Sequence, residues 1–257
     1  MNIIKLIFLS FFLILYSINV SSRGIGETEI TTDDGIEVFQ NEKYYLLKKN
    51  VIIASDDFKI TADSVKAKFE IDLYDITSLE TKGESSLDAI KYGITGNGDE
   101  ILINIKSEEI TVIGKNSLLN LQETKMSSDG SIKVNNLLGT FEVSGANSNL
   151  KNDDLDIYGE YISGVFFESD GKKQLKNLEV RDNNLLKIYT ENLEMSSKKA
   201  IYDDQTNIIE LFTNVKIVKG QEIISGDYGY FDTVKNSYKV KSDKTSKVKV
   251  TIKNTNE

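Results

Sequence analysis

The 257-residue chain contains no cysteine, no histidine, no tryptophan and no proline. Without cysteine there is no disulfide framework, no thiol nucleophile and no thiolate metal site. Without histidine the usual general base disappears, and with it the Ser-His triads and most zinc sites. Average usage would give roughly a dozen prolines in a chain this long. Their absence leaves the turns to Gly, Asn, Asp and Ser. The surplus of Ile, Lys, Asn, Asp and Ser has a simple source in AT-rich coding. What remains is 39% hydrophobic and 28% charged, the composition of a folded but lightly cored protein.

The first residues have the layout of an export signal. Lys5 supplies one positive charge, an apolar run follows from Leu6 to about Ile18, and small residues come at Val20, Ser21 and Ser22. The expectation is cleavage after Ser22, with retention as an inner-membrane anchor as the alternative. The run is short for a membrane span, which needs about 20 residues. Both readings export residues 23–257. Removing residues 1–22 takes away Lys5 and no acid. Thirty basic residues of the 31 then face 40 acidic ones, a net of −10. Such a surface repels nucleic acid and anionic headgroups. A lipid partner would have to be met through its acyl chains.

From Thr28 onward the pattern is period two. Isoleucines at 101, 103 and 105 alternate with other residues, and Val248, Val250 and Ile252 alternate with lysines. Asp34-Gly35, Asn97-Gly98, Asp129-Gly130, Asp170-Gly171 and Lys219-Gly220 punctuate these strands. The stretch Ser85 to Tyr92, stopped by Gly93, is the one candidate for a helix. No charge run or low-complexity linker divides the sequence, so residues 23–257 read as a single elongated domain.

One stretch occurs twice. NVIIASDDFKITADSV begins at Asn50, and NVKIVKGQEIISGDYG begins at Asn214. The second half of the unit, an apolar residue, any residue, a small residue, then an acid, ends in Asp63, Glu160, Glu191 and Asp227 in four versions. It is expected to be a turn between strands: the small residue bends and the acid accepts from free N–H groups. Repetition implies stacked strand pairs burying apolar faces against their neighbours. At about 11 residues per strand and turn, ~20 strands are expected.

Asn50-Val51 with Ile60-Thr61-Ala62-Asp63, and Asn214-Val215 with Ile224-Ser225-Gly226-Asp227, resemble the repeat of the OstA-like lipopolysaccharide-transport family, the LptA/LptC-like β-jellyrolls. That repeat runs Gly-Asn-Val, strand, polar turn, Ile-x-Ala-Asp, strand. Ala200 to Asp204 is similar to the segment preceding it. The resemblance covers residues 36–80 and 187–252, while 85–185 match only in rhythm. Lys49 and Thr213 replace the family's glycine, and Gly226 replaces its alanine. The resemblance implies an all-β, elongated twisted β-jellyroll with open edge strands at both ends. It implies a periplasmic carrier of lipopolysaccharide toward the outer membrane, pairing by its edges with other jellyrolls or with copies of itself.

The candidate lipid-binding residues are Val51, Ile53, Ile60, Val65 and Phe69, with Val215, Ile217 and Ile224 as their counterparts. Read plainly, the same eight fill a core with no ligand. No catalytic residue, metal or cofactor is assigned, and the chain is not expected to be an enzyme. The repeated context of Asp63, Glu160, Glu191 and Asp227 accounts for them as turn residues, and Asn152-Asp153-Asp154 as a solvated turn rather than a calcium site. The lysine-rich run 247–253 reads as an edge strand. Two other classes stay open. One is an exported structural or adhesin β-solenoid. The other is a carbohydrate-active β-helix, for which Tyr158, Tyr161, Phe166 and Phe167 near Glu160 would be the aromatic surface.

Overall fold

The computed structural model describes residues 28–71, 75–152, 155–243 and 247–252. The proposed export signal and Asp153-Asp154 lie outside the described residues.

Within the described residues, twenty-two strands form one antiparallel sheet. The first six are β1 (Glu29–Thr31), β2 (Ile36–Phe39), β3 (Tyr44–Ala54), β4 (Lys59–Phe69), β5 (Ile76–Lys82) and β6 (Ser85–Ala89). Next come β7 (Ile94–Gly98), β8 (Glu100–Asn104), β9 (Glu109–Ile113), β10 (Ser117–Leu121), β11 (Thr124–Ser128) and β12 (Ser131–Asn135). They are followed by β13 (Thr140–Ser144), β14 (Asn149–Asn152), β15 (Leu155–Tyr158), β16 (Tyr161–Ser169) and β17 (Lys172–Tyr189). The last are β18 (Glu194–Asp203), β19 (Ile208–Lys219), β20 (Glu222–Asp232), β21 (Ser237–Lys241) and β22 (Lys249–Ile252). The helix candidate is β6 followed by one 3₁₀ turn, Ile90–Tyr92. Ser85 and Leu87 face the core, a period of two that a helix would not give.

The sheet is folded lengthwise. β3 pairs with β2 through Tyr44–Leu47 and with β1 through Ile52–Ala54, and its register with β4 breaks between Lys48 and Val51. β4 likewise pairs with β6 before Asp63 and with β5 after it. Six strands (β3, β4, β17, β18, β19, β20) cross the fold whole, and the other sixteen join end to end in eight pairs, so there are fourteen bent rungs. At ~4.8 Å per rung the stack is ~60 Å long. Each rung has one arm in an upper half-sheet (β2, β5, β8, β9, β12, β13, β16, β21) and one in a lower half-sheet (β1, β6, β7, β10, β11, β14, β15, β22).

Pairing does not stop at the bend. Asp63 N–H donates to Gly83 C=O (3.1 Å), Gly83 N–H to Asp99 C=O (2.8 Å), and Asp99 N–H to Ile113 C=O (2.9 Å). The ladder goes on through Gly114 to Gly130 (3.0 Å), Asp129 to Ala146 (2.9 Å) and Gly145 to Glu160 (3.0 Å). A continuous spine of backbone bonds therefore runs along the corner. This corrects the turn reading of the small-acid pattern. Asp63, Glu160 and Asp227 sit at corners within rungs, where the chain bends without leaving the sheet. Glu191 alone lies in a hairpin turn, closed by Thr190 N–H to Leu193 C=O at 2.9 Å. Its sequence likeness to the others is not a likeness of place.

The two copies of the repeated stretch occupy equivalent places. Asn50 and Asn214 both open a lower arm and both have positive φ (52° and 57°). Lys49 (69°) and Thr213 (63°) precede them in the same left-handed region. Glycine enters that region without penalty, which is the physical reason that the related repeat carries glycine there. Within residues 85–185 a second corner signature appears. Gly114-Lys115-Asn116-Ser117 and Gly145-Ala146-Asn147-Ser148 each turn their serine hydroxyl back to the glycine carbonyl at 2.8 Å. Those serines are buried.

Inward side chains of both arms form one apolar cluster, from Tyr45 in the third strand to Phe231 in the twentieth. At the N-terminal end β1 and β2 pair only with β3, and at the C-terminal end β21 and β22 pair only with β20 among the described residues. Ile36 and Val38 at one end, and Val250 and Ile252 at the other, are about half exposed or more. The lysine run thus does supply an edge strand.

Candidate functional site

The eight candidate residues fall in two groups at the two ends of the stack. Val51, Ile53, Ile60, Val65 and Phe69 lie on β3 and β4, and Ile53 stands opposite Ile60 across the pair. Val215, Ile217 and Ile224 lie on β19 and β20, and Ile217 stands opposite Ile224. Seven of the eight belong to the buried cluster, while Ile224 is half-buried. Period-two alternation forces this: each is one of the inward positions of its strand. The Phe69 ring packs against Tyr45 at 4.7 Å. All face the interior, and the interior around them is filled by protein side chains.

The long side opposite the corner is where the hairpin turns meet. Turns of the upper half, such as 170–171 and 204–207, face turns of the lower half, such as 122–123 and 190–193. Between them lies a cavity of about 810 Å³. Its floor is apolar, made by Leu155, Phe167, Leu175, Tyr202 and Phe231. Leu175 and Phe231 belong to the buried cluster, and Leu155 and Tyr202 pack against it. Its lips are polar and include Glu123, Glu191, Asp204, Lys172 and Lys173. Here the interior is reached from outside. None of the eight sequence-chosen residues lines this mouth. The residues that do are polar turn residues or lone apolar residues far apart in sequence, which no local pattern singles out.

The mouth ends at a bridge between the halves. The side-chain amide of Gln122 donates to Gly171 C=O (3.3 Å) and accepts from Lys173 N–H (2.7 Å). Lys172 pairs with Glu123 at 2.8 Å, and Lys173 Nζ donates to Asn136 Oδ1 at 2.7 Å. Gln122 itself has φ of 52° and donates its backbone N–H to Gly93 C=O at 2.6 Å. The left-handed turn aims its side chain across the gap.

Acidic corner residues act as local hydrogen-bond acceptors. Asp129 accepts from Asn116 N–H (2.9 Å) and Asn147 Nδ2 (2.6 Å), which hold its carboxyl below the usual range. Glu160 accepts from Asn183 Nδ2 at 2.5 Å, and Asp227 from Asp243 N–H at 3.0 Å. The aromatic group considered for a sugar surface is divided. Phe166 is buried in a stack with Phe141 (4.5 Å), Tyr161 donates to Glu142 at 3.1 Å, and Phe167 lines the mouth. Tyr158 remains near Glu160 on the outer face, edge-on to Tyr189. Among the described residues no group of three or more acidic, His or Cys side chains is placed to hold a metal.

An antiparallel sheet folded along a polar spine, apolar within, reachable along one side and, among the described residues, unpaired at both ends, is an open β-jellyroll. Residues 133–237 match the family model described as LptA/(LptD N-terminal domain) LPS transport protein. The match takes in 133–185, where the sequence showed rhythm alone, and stops short of the first copy of the repeat. Among solved structures the chain is similar to LptH of Pseudomonas aeruginosa, described as the LptA-homologous periplasmic component of the lipopolysaccharide transport device. The two are 9% identical over 89% of this chain and 96% of that one, with a TM-score of 0.22, a score at which the superposition supports nothing further. No curated protein matches the chain.

Proposed function

We propose that the chain is a periplasmic carrier in lipopolysaccharide transport to the outer membrane. Acyl chains of the lipid enter the space between the half-sheets, and the edge strands at the two ends join it to neighbouring jellyrolls or to a second copy. The supporting observation is the single apolar cluster that runs the length of the stack and is reachable from one side. Each CH₂ taken from water into such a surface contributes about 0.8 kcal/mol. The family match over residues 133–237 supports the same cargo class.

Val51, Ile53, Ile60, Val65 and Phe69 serve one end of this path, and Val215, Ile217 and Ile224 the other. They lie beside the edge strands, so lipid passed between neighbouring jellyrolls meets them at the junctions. The walls are packed against each other at these positions, and the half-sheets must spread to admit a chain. No bond is made or broken in this scheme.

The test is a photo-crosslinking amino acid at inward Ile53 and, separately, at outward Lys66, on residues 23–257 mixed with lipopolysaccharide. Crosslinking at Ile53 and not at Lys66 is expected. A folded protein that crosslinks at neither site has a closed core. It would then read as an exported structural protein.

A further inference from the structure

We infer that the mouth between residues 123 and 236 is a lateral port, through which an amphipathic lipid enters sideways, and that the Gln122 bridge is its latch. The inference rests on the carrier reading above but concerns the route, which that reading leaves open between the ends and the side.

Three observations carry it. The mouth is amphipathic in the right order: apolar floor continuous with the core, polar lips. At about 810 Å³ it lies in the size range of built ligand sites. It stops where Gln122 spans the two half-sheets with a paired donor and acceptor to Gly171 and Lys173. That pairing imitates one rung of backbone bonding, yet it is made by a side chain. A side-chain amide releases by rotating about its own bonds, whereas a backbone pair releases only when strands separate. The corner spine on the opposite side is backbone from Asp63 to Glu160, the stretch that faces the bridge. The fold therefore has a strong hinge line on one side and a weak, reversible tie on the other, as a cleft that opens laterally requires. The ion pair of Lys172 with Glu123 is exposed and adds little to the closed state.

The chain has no cysteine, so thiols can be placed at will. In the double variant Gln122→Cys/Lys173→Cys, a short bis-methanethiosulfonate linker, each end of which loses methanesulfinate to one thiolate, ties the two half-sheets covalently across the mouth. Loading is followed with fluorescently labelled lipopolysaccharide. The unlinked double variant, each single variant carrying one reagent molecule, and Gln122→Ala serve as comparisons. Loading at least ten-fold slower in the linked protein alone, reversed when a cleavable linker is cut, is the expected result. Gln122→Ala should load as fast as the native chain or faster. Linked protein that loads at the unlinked rate overturns the port, since lipid then enters by the ends. Equal slowing by a single attached reagent molecule overturns the latch, since bulk alone blocks the mouth. If the native chain is folded and none of the forms loads, the carrier reading falls and the port falls with it.

Discussion

Two non-glycine residues occupy a corner position that asks for glycine, and replacing them should stabilise the protein. Thr213 has φ of 63° and Lys49 has 69°. The left-handed region costs an L-residue roughly 1–2 kcal/mol, and a β-branched one such as threonine at least as much. Substitution by glycine releases that strain. It also raises the entropy of the unfolded chain, which takes back about 0.4–1 kcal/mol. The difference is a net gain of about 0.5–1 kcal/mol for Thr213→Gly, and somewhat less for Lys49→Gly. The two corners lie ten rungs apart, ~48 Å, so the effects should add. The double variant should gain about 0.8–1.8 kcal/mol.

Urea unfolding followed by far-ultraviolet circular dichroism measures this. With m of about 1–3 kcal/mol/M, the midpoint should rise by a few tenths of a molar to about 1 M at unchanged m. Lys216→Gly is the control, since Lys216 is an exposed residue within β19 with no positive φ. Glycine there should cost about 0.5–1 kcal/mol. If Thr213→Gly lowers the midpoint as much as Lys216→Gly does, the corner carries no strain. Left-handed backbone would then not be the reason that the related repeat carries glycine at this position.

Three further outcomes can be measured. Gly164→Ala should cost about 1–3 kcal/mol, because a Cβ would stand 2.3 Å from Asn177 C=O and 2.7 Å from the Phe141 ring; an unchanged melting temperature would refute that packing. Burial and a 2.5 Å hydrogen bond to Glu210 push the Tyr228 hydroxyl from the usual 10 up to about 12. The fold favours the neutral phenol, so this contribution is intact below pH 10 and is lost as pH rises through about 12. Tyr228→Phe should therefore show a shallower stability loss across that window and lack the latest phenolate absorbance step. Deleting residues 246–257 removes β22 and uncovers the first half of β20. Sedimentation should then show altered head-to-tail assembly of the purified protein, and an unchanged distribution would exclude the C-terminal edge from self-association.

Much of the architecture is legible in the chain because strand periodicity is a local signal. Ile132, between Ser131 and Lys133, and Val143, between Glu142 and Ser144, are inward for the same reason that they alternate with polar neighbours. The corners were harder to read. Ala62-Asp63, Gly159-Glu160 and Gly226-Asp227 look like strand ends, since a bend needs the same small and acidic residues whether the chain leaves the sheet or only folds with it. What separates the cases is the partner strand, as Glu191 shows by sharing the pattern while sitting in a hairpin. The mouth was not legible. Gln122 meets Lys173 across 51 positions, and a glutamine in a polar turn has no periodicity to betray that it spans a gap.

The direction of the chain through the corner accounts for the period of the repeat. Successive rungs are antiparallel, so they cross the spine alternately downward and upward. Downward crossings at Lys49-Asn50, Gly83-Glu84, Gly114 to Asn116, Gly145 to Asn147 and Thr213-Asn214 use positive φ, while the one at Asp182 to Leu185 in β17 does not. Upward crossings at Asp63, Asp99, Glu160 and Asp227 use none. A sheet of L-residues twists in one sense, so the same bend is entered with opposite handedness from its two sides. The left-handed region is entered on the downward side alone, at five of the described corners. The upward corner then supplies the acid and the downward corners the N–H donors, as Asp129 shows by accepting from the Asn116 backbone N–H and the Asn147 side-chain amide. A repeat of one rung would therefore put the wrong residue at every second corner. The recurring unit has to span two rungs, and it does so where Gly114 and Gly145 open the same four-residue corner on alternate rungs.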